Sequence, residues 1–239
     1  MKPFDVLGAA IEDYYKNNAT EAIVVHETGE EDDLLEPAYF FRLENELPEL
    51  EKVALSHCQG KVLDVGAGAG SHTLILQERN YAVSAIDISA QAVSVMQARG
   101  VKQVQALDFF KLKNETFDTI LLLMNGIGIA GTLSGLDAFF IQLKSLLDKG
   151  GAVITESCDL LHHASDEERW EIISSGKYFG ELEFQMEYKK RMGTPFNWLF
   201  IDIHNLRYYA QKNDFDVEVL FEDGDGAYLA KITLKKMDD

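Results

Sequence analysis

Asp64, Gly66, Gly68 and Gly70 stand at alternate positions around the end of the apolar run Val62, Leu63 and Val65, and their types and spacing could do chemistry. A short buried strand that runs into alternating glycines must reverse sharply, and glycine allows both the reversal and the close approach of a ligand to the backbone. Ser71 is expected to cap a helix beginning at His72, so that unpaired backbone N–H groups and the positive helix end face the turn. Such turns also occur in α/β proteins that bind nothing there. Where they do bind, spacing separates two ligand classes. A dinucleotide turn has Gly-x-Gly-x-x-Gly with a pyrophosphate at the helix end. Here the third glycine comes one residue early, at Gly70, and Ser71 fills the place reserved for it. Asp64, two residues before the first glycine, would repel a pyrophosphate and suits a ligand that carries positive charge.

These residues need a sheet to hold them. Residues 82–88 read as a second strand ending in Asp87, and residues 101–109 as a third ending in Asp108. A fourth strand is expected over 117–125 and a fifth over 151–156. Between them, residues 136–147 carry Leu136, Phe139, Phe140, Leu143, Leu146 and Leu147 on one helical side. A helix over 203–213 and strands over 215–221 and 227–234 close the chain. Asp64, the three glycines, Asp87 and Asp108 then all fall at strand ends of one alternating series, on the edge where such sheets bind ligands.

The pattern Asp64-x-Gly66-x-Gly68-x-Gly70 after an apolar strand resembles motif I of the class I S-adenosylmethionine-dependent methyltransferases. The resemblance implies a Rossmann-like α/β fold: a seven-stranded sheet, mostly parallel, with an antiparallel C-terminal hairpin. To this the chain adds an N-terminal helical segment and a β-hairpin inserted after strand five. It further implies S-adenosyl-L-methionine as cofactor, S-adenosyl-L-homocysteine as product, and methyl transfer by in-line displacement. Carried onto this chain, Asp64, Gly66, Ala67, Gly68 and Gly70 form the cofactor turn, and Asp87, followed by Ile88, accepts hydrogen bonds from the ribose hydroxyls. Asp108 lies near the adenine amino group, and Phe109 offers its backbone N–H and an apolar face to the base. Asn125 would touch the cofactor, orient a substrate or cap its own turn. Arg42, in the segment ahead of motif I, would pair with the methionine carboxylate while Tyr39 faces the methyl group. The other reading of that pair is an aromatic anchor beside a surface arginine.

The chain has 239 residues, enough for one large core with additions. The expected division is a helical lid segment over 1–57 and a methyltransferase core over 58–239, with an insertion at about 160–202. With 22 basic and 40 acidic side chains the formal charge is −18, which disfavours nucleic acid as partner and leaves a small-molecule acceptor. The run Lys189-Lys190-Arg191 reads as a solvated loop. Two cysteines, Cys58 and Cys158, fit a reduced compartment. The first fifteen residues are interrupted by Asp5, Glu12 and Asp13, and no stretch reaches membrane-spanning length. A cytoplasmic protein without a membrane partner is therefore expected.

Substrate choice is expected in the additions. Phe4, Leu7, Ile11, Tyr14 and Tyr15 have helical spacing, as a lid or packing helix. Residues 22–26 extend as a strand, the acidic run 30–33 and Pro37 argue for an irregular connection, and residues 48–57 form a helix. Residues 178–188 alternate, with Leu182, Phe184, Met186 and Tyr188 on one face, and residues 195–201 are expected to return beside them across a turn at 192–194. This hairpin would roof a substrate pocket that includes Tyr39, His72, Glu156, Phe184, Tyr188 and Trp198; its other use is a sheet extension or the edge of a homodimer.

In-line methyl transfer draws on alignment and desolvation and needs no strong acid or base. No catalytic residue is assigned, and whether oxygen or nitrogen is methylated stays open. Glu156, Asp159, His162, His163 and His204 are candidate bases. The fourth strand ends in Met124-Asn125-Gly126-Ile127-Gly128, without the Asn/Asp-Pro-Pro-aromatic motif of amide-adenine methyltransferases, and no carboxylate pair reads as a metal site. Two alternatives remain: a protein that binds S-adenosylmethionine without catalysis, and a nicotinamide-dependent oxidoreductase, which the glycine spacing and Asp64 oppose.

Overall fold

The computed structural model describes residues 3–27, 31–174, 176 and 178–235. In chain order its elements are helix α1 (Val6–Asn17), strands β1 (Ile23–Glu27) and β2 (Asp33–Leu35), α2 (Glu49–Ser56), β3 (Lys61–Val65), α3 (Ser71–Glu78), β4 (Ala82–Asp87), α4 (Ala90–Arg99) and β5 (Val104–Ala106). There follow β6 (Phe117–Leu122), α5 (Leu136–Leu146), β7 (Leu147–Cys158), α6 (Asp166–Ser174), β8 (Glu181–Tyr188), β9 (Arg191–Met192), β10 (Phe196–Leu199), α7 (Ile203–Lys212), β11 (Phe215–Glu222) and β12 (Ala227–Leu234). Strands β3 to β7 with β11 and β12 make up a seven-stranded sheet. The chain divides into two compact units, the first formed by Met1–Leu47, Lys61–Leu112 and Glu183–Phe196, the second by Pro48–Gly60, Lys113–Leu182 and Asn197–Asp239.

In the first unit β3, β4 and β5 run parallel, with Val65 opposite Ile86 and Asp87 opposite Ala106. Parallel strands covered on both faces read as continuous apolar runs, and from Val62 to Val65 every residue of β3 is buried. Helix α4 lays Val93 and Met96 on Ala85 and Val101. On another side it meets α1, where Ile11, Ala92 and Val95 bury together with Ala69, and Leu7, Phe40 and Phe41 pack against them. Burying a side chain of this size contributes about 1.5–3 kcal/mol, which favours docking of α1 on α4.

This unit also holds a small antiparallel sheet, in which β1 pairs with β2 and with β8. The irregular connection expected over 30–33 holds a strand from Asp33; residue 30 lies outside the described residues. Strand β8 alternates in exposure only from Glu181 to Phe184 and is half-buried on both sides from Gln185 to Glu187; its tight turn is at Lys189 and Lys190, both left-handed at φ 50° and 60°, and leads into β9. That is the backbone of a two-residue hairpin turn, usually taken by Asn-Gly. Lys189 is held there by its ammonium on Asp13, 2.7 Å away. The basic run is thus a hairpin turn tied to α1.

In the second unit β6 and β7 are parallel, while β12 runs antiparallel between β7 and β11. Helix α5 buries Leu136, Phe139, Phe140, Leu143 and Leu146, the spacing read from sequence, and Phe140 meets Phe215 at 5.4 Å between ring centroids. Strands β5 and β6 are among those shorter than expected. Strand β5 stops at Ala106 because Asp108 turns its side chain onto the Phe110 N–H and caps a short 3-10 turn, and β6 stops at Leu122 before the left-handed Met124 and Asn125.

Candidate functional site

The turn after β3 is built by three glycines with different tasks. Gly66 has φ +70°, and a side chain there would point into open space with nothing within 4 Å. This is the place where a ligand can reach the backbone. At Gly68 a Cβ would lie 3.3 Å from Phe40 and 4.0 Å from Ile11, so the N-terminal segment covers this residue. At Gly70, φ +82°, a Cβ would meet Met96 at 2.9 Å, and the third glycine is needed for packing on α4. The N–H groups of Gly66 and Ala67 both donate to the Ile86 carbonyl, at 2.9 and 3.1 Å.

Asp87, at the end of β4, is 6% exposed. Its Oδ2 accepts the Gly68 N–H at 2.9 Å and its Oδ1 the Ser89 N–H at 2.8 Å. Burial pushes its pKa up to about 6, against the pull of those two N–H groups and with the help of the Asp5 and Asp64 charges. Each carboxylate oxygen still has a lone pair to offer a hydroxyl. Ile88, directly after it, is 81% exposed, an apolar side chain standing next to a carboxylate. Asp108 is half-buried and engaged with the Phe110 N–H at 3.0 Å and with Lys111 at 3.3 Å; Phe109 is buried beneath Phe110.

Asp64 is 3% exposed and accepts a 2.5 Å hydrogen bond from the Thr73 hydroxyl. Burial raises its pKa, while neighbouring His72 and Thr73 favour the charged form. His72, expected in the substrate pocket, is itself buried and serves as this electrostatic neighbour. Ser71 differs from expectation. Gly70 occupies the cap position, helix α3 begins at Ser71, and the Ser71 hydroxyl donates to the Phe40 carbonyl at 2.7 Å instead. It thereby ties the N-terminal segment to the turn.

In that segment the Arg42 guanidinium lies 3.7 Å from the Tyr39 ring centroid and its Nε donates to the Tyr39 carbonyl at 2.9 Å. Sequence reasoning missed Arg99, at the end of α4. Its Nη1 donates to the Ala69 carbonyl at 2.5 Å and its guanidinium covers Phe41 at 4.8 Å, so one cation locks turn and cover together. Phe184 is half-buried on β8. Tyr188 is 2% exposed, packed with Val6, Ala10 and Ile23, its hydroxyl 3.3 Å from Asp13. Its ring therefore belongs to the core under α1, not to a pocket wall, because α1 covers the face of β8 that carries it and Ile23 of the neighbouring β1 packs alongside.

In the second unit a polar group gathers where β6 and β7 end. Glu156 Oε1 accepts the Asn125 N–H at 2.8 Å, the Ser157 hydroxyl donates to Asn125 Oδ1 at 2.9 Å, and Asn125 Nδ2 donates to the Leu199 carbonyl at 3.1 Å. Asn125 is left-handed, φ 54°, a conformation Asn tolerates better than most residues. Trp198 lies flat on the following turn, its Nε1 2.2 Å from where a Cβ on Gly128 would be. Of the candidate bases, His162, His163 and His204 are exposed, and Asp159 accepts the Leu161 N–H at 2.9 Å. Among the described residues no group of three His, Cys, Asp or Glu is placed to hold a metal, and no helix is long and apolar enough to cross a membrane.

A buried Asp87 carboxylate with acceptor capacity to spare, open space at Gly66 and an exposed apolar side chain at Ile88 could hold a ligand with a diol and an apolar ring, and the Asp64 carboxylate disfavours a pyrophosphate. A Rossmann-like nucleoside site of this kind defines the class. Residues 56–213 match the family model for a methyltransferase domain, and the chain belongs to that family. It is 40% identical, with a TM-score of 0.88 over 97% of this chain and 95% of the other, to an S-adenosylmethionine-dependent methyltransferase from Bacteroides fragilis solved in complex with S-adenosyl-L-homocysteine. Two more distant structures share the fold. They are the CcbJ methyltransferase from Streptomyces caelestis (12% identity, TM-score 0.59, 80% and 94% covered) and the glycopeptide N-methyltransferase MtfA complexed with S-adenosyl-L-methionine (13%, 0.55, 78% and 92%). No curated protein matches the chain. The protein is an S-adenosylmethionine-dependent methyltransferase.

Proposed function

We propose that the enzyme methylates a small-molecule acceptor in the cytoplasm. In this reading Asp87 receives the ribose hydroxyls of S-adenosylmethionine, Ile88 and Phe109 flank the adenine with Asp108 near its amino group, and the turn from Asp64 through Gly66, Ala67, Gly68 and Gly70 carries the amino-acid end. The observation that carries it is the Asp87 carboxylate, buried at a strand end yet with acceptor capacity to spare. Bound there, the cofactor supplies an electrophilic methyl group on a sulfonium.

What the chain contributes is positioning and exclusion of water. Phe40 and Ile11 close over Gly68, and Arg99 and Ser71 hold that cover in place. The Arg42 and Tyr39 pair belongs to this cover, and in this reading Arg42 pairs with the methionine carboxylate. Acceptor recognition is assigned to Asn125, Glu156 and Trp198, where a carboxylate, an amide and an indole are fixed by hydrogen bonds and packing. The half-buried Glu156 is the carboxylate of this group and the side chain suited to orient a hydroxyl or ammonium. A charge of −18 supports a small acceptor over a polyanion, and two free cysteines support a reduced compartment.

The test is transfer of label from S-adenosylmethionine into fractionated cell extract. Label in the small-molecule fraction, lost in Trp198→Ala with S-adenosylhomocysteine binding retained, is expected. Label confined to RNA, DNA or protein would overturn the reading.

A further inference from the structure

Helix α1 starts beside the ribose acid. Asp5 caps it, Oδ1 accepting the Gly8 N–H at 2.9 Å, while Asp5 Oδ2 accepts the Ser89 hydroxyl at 2.6 Å. Ser89 in turn caps α4, its Oγ accepting the Ala92 N–H at 3.0 Å, and its own N–H donates to Asp87 Oδ1. Two helix starts, 84 residues apart in sequence, thus share one hydroxyl, and the residue bearing it also binds Asp87. Gly8 makes room for this. A Cβ there would lie 2.1 Å from Ser89 Oγ and 2.4 Å from Asp5 Oδ2. Glycine inside a helix is less favourable than alanine, and the close approach gives that cost a purpose. One turn further, Gln91 Nε2 donates to Glu12 Oε2 at 2.6 Å, and Ile11 reaches the Ala69 and Gly68 end of the cofactor turn.

We infer that Asp5, Gly8 and Ser89 are positioning residues for the cofactor, which make docking of helix α1 and loading of the Asp87 site one coupled equilibrium. The inference rests on the assignment of Asp87 to the ribose. By reciprocity, whatever factor a docked α1 adds to cofactor affinity, bound cofactor must add to α1 docking. The charged groups that face Asp87 are Asp5 from α1 and Asp64 from β3, set against the N–H groups of Gly68 and Ser89. Glu12, further along α1, is engaged by Lys16 and Gln91.

The test compares Gly8→Ala, Asp5→Asn and Asp87→Asn with the parent by calorimetric titration of S-adenosylhomocysteine near neutral pH. Hydrogen exchange of the α1 amides is measured with and without that ligand. Gly8→Ala, which removes no polar group, is expected to weaken binding roughly tenfold, and the ligand should slow α1 exchange in the parent but not in this variant. Asp5→Asn keeps an acceptor for the Gly8 N–H and removes a charge facing Asp87, so the pH midpoint of binding should move down. Ligand-dependent exchange of the α1 amides, which a merely structural role would leave unchanged, is read beside it. If Asp87→Asn binds like the parent, the ribose assignment itself fails. If Asp87→Asn is impaired but the Gly8 and Asp5 variants bind like the parent and the ligand leaves α1 exchange unchanged, the coupling is overturned. Should Gly8→Ala not fold, the Asp5→Asn midpoint and the parent's exchange decide alone.

Discussion

Replacing Asp87 by asparagine should separate what the carboxylate does for the cofactor from what it does to the fold. The side chain sits between the N–H groups of Gly68 and Ser89, and burial lifts its pKa to about 6 from an ordinary 3.8. An amide keeps the shape but places an NH2 against one of those donors and removes the charge. The loss of a charged acceptor should cost about 1.5–3 kcal/mol of S-adenosylhomocysteine binding, or roughly 10- to 150-fold in Kd. In the parent, the ionised fraction falls from about nine-tenths at pH 7 to about one-tenth at pH 5, so affinity should drop roughly tenfold over that interval. In the variant this part of the pH dependence should vanish.

Stability without ligand should move the other way. A carboxyl whose folded pKa lies above its unfolded value imposes no cost below about pH 4, where both states are protonated, and its full cost above about pH 6. The difference of roughly two units is about 3 kcal/mol. Urea unfolding of the ligand-free parent, relative to Asp87→Asn, should lose about that much as pH rises from about 4 to about 7. Unchanged affinity in the variant, or the same pH slope of binding in both proteins, would refute the reasoning.

Gly68→Val should weaken S-adenosylhomocysteine binding at least about tenfold by calorimetry, since φ is +58° and Phe40 already stands 3.3 Å from the Cβ position. Thr73→Val should cost about 1–3 kcal/mol in urea unfolding, because it leaves the buried Asp64 carboxylate without its hydroxyl donor. Gly128→Ala should destabilise by about 1–3 kcal/mol, as the new methyl group meets the Trp198 indole, and in surviving protein it should alter acceptor turnover more than cofactor Kd.

The signals behind the proposed cofactor half of the site are local and could be read in the sequence. Alternating glycines, an acid two residues before them and acids at the next two strand ends can be read off 45 residues, 64 to 108, of alternating β/α pattern. The C-terminal hairpin followed from alternation around a turn, whereas the strand order was not readable from periodicity. Contacts made across sequence were not legible. Nothing in Ser89 announces that it will bond Asp5, and nothing in Arg99 that it will reach Ala69; each becomes visible only when α1 and α4 pack. Tyr188 was placed on the right face of its strand, but the partner of that face, α1, comes from the other end of the chain. The Lys189-Lys190 turn escaped because lysine gives no propensity signal for positive φ, and the ion pair with Asp13 that stabilises it is again long-range.

The most direct test of the cofactor assignment is a crystal structure of the protein with S-adenosyl-L-homocysteine. Both ribose hydroxyls should donate to the Asp87 carboxylate at about 2.5–2.8 Å, with the adenine beside Ile88 and the amino-acid end of the ligand over Gly66. A complex in which the ribose is held elsewhere, with Asp87 bonded only to the Gly68 and Ser89 amides, would contradict it.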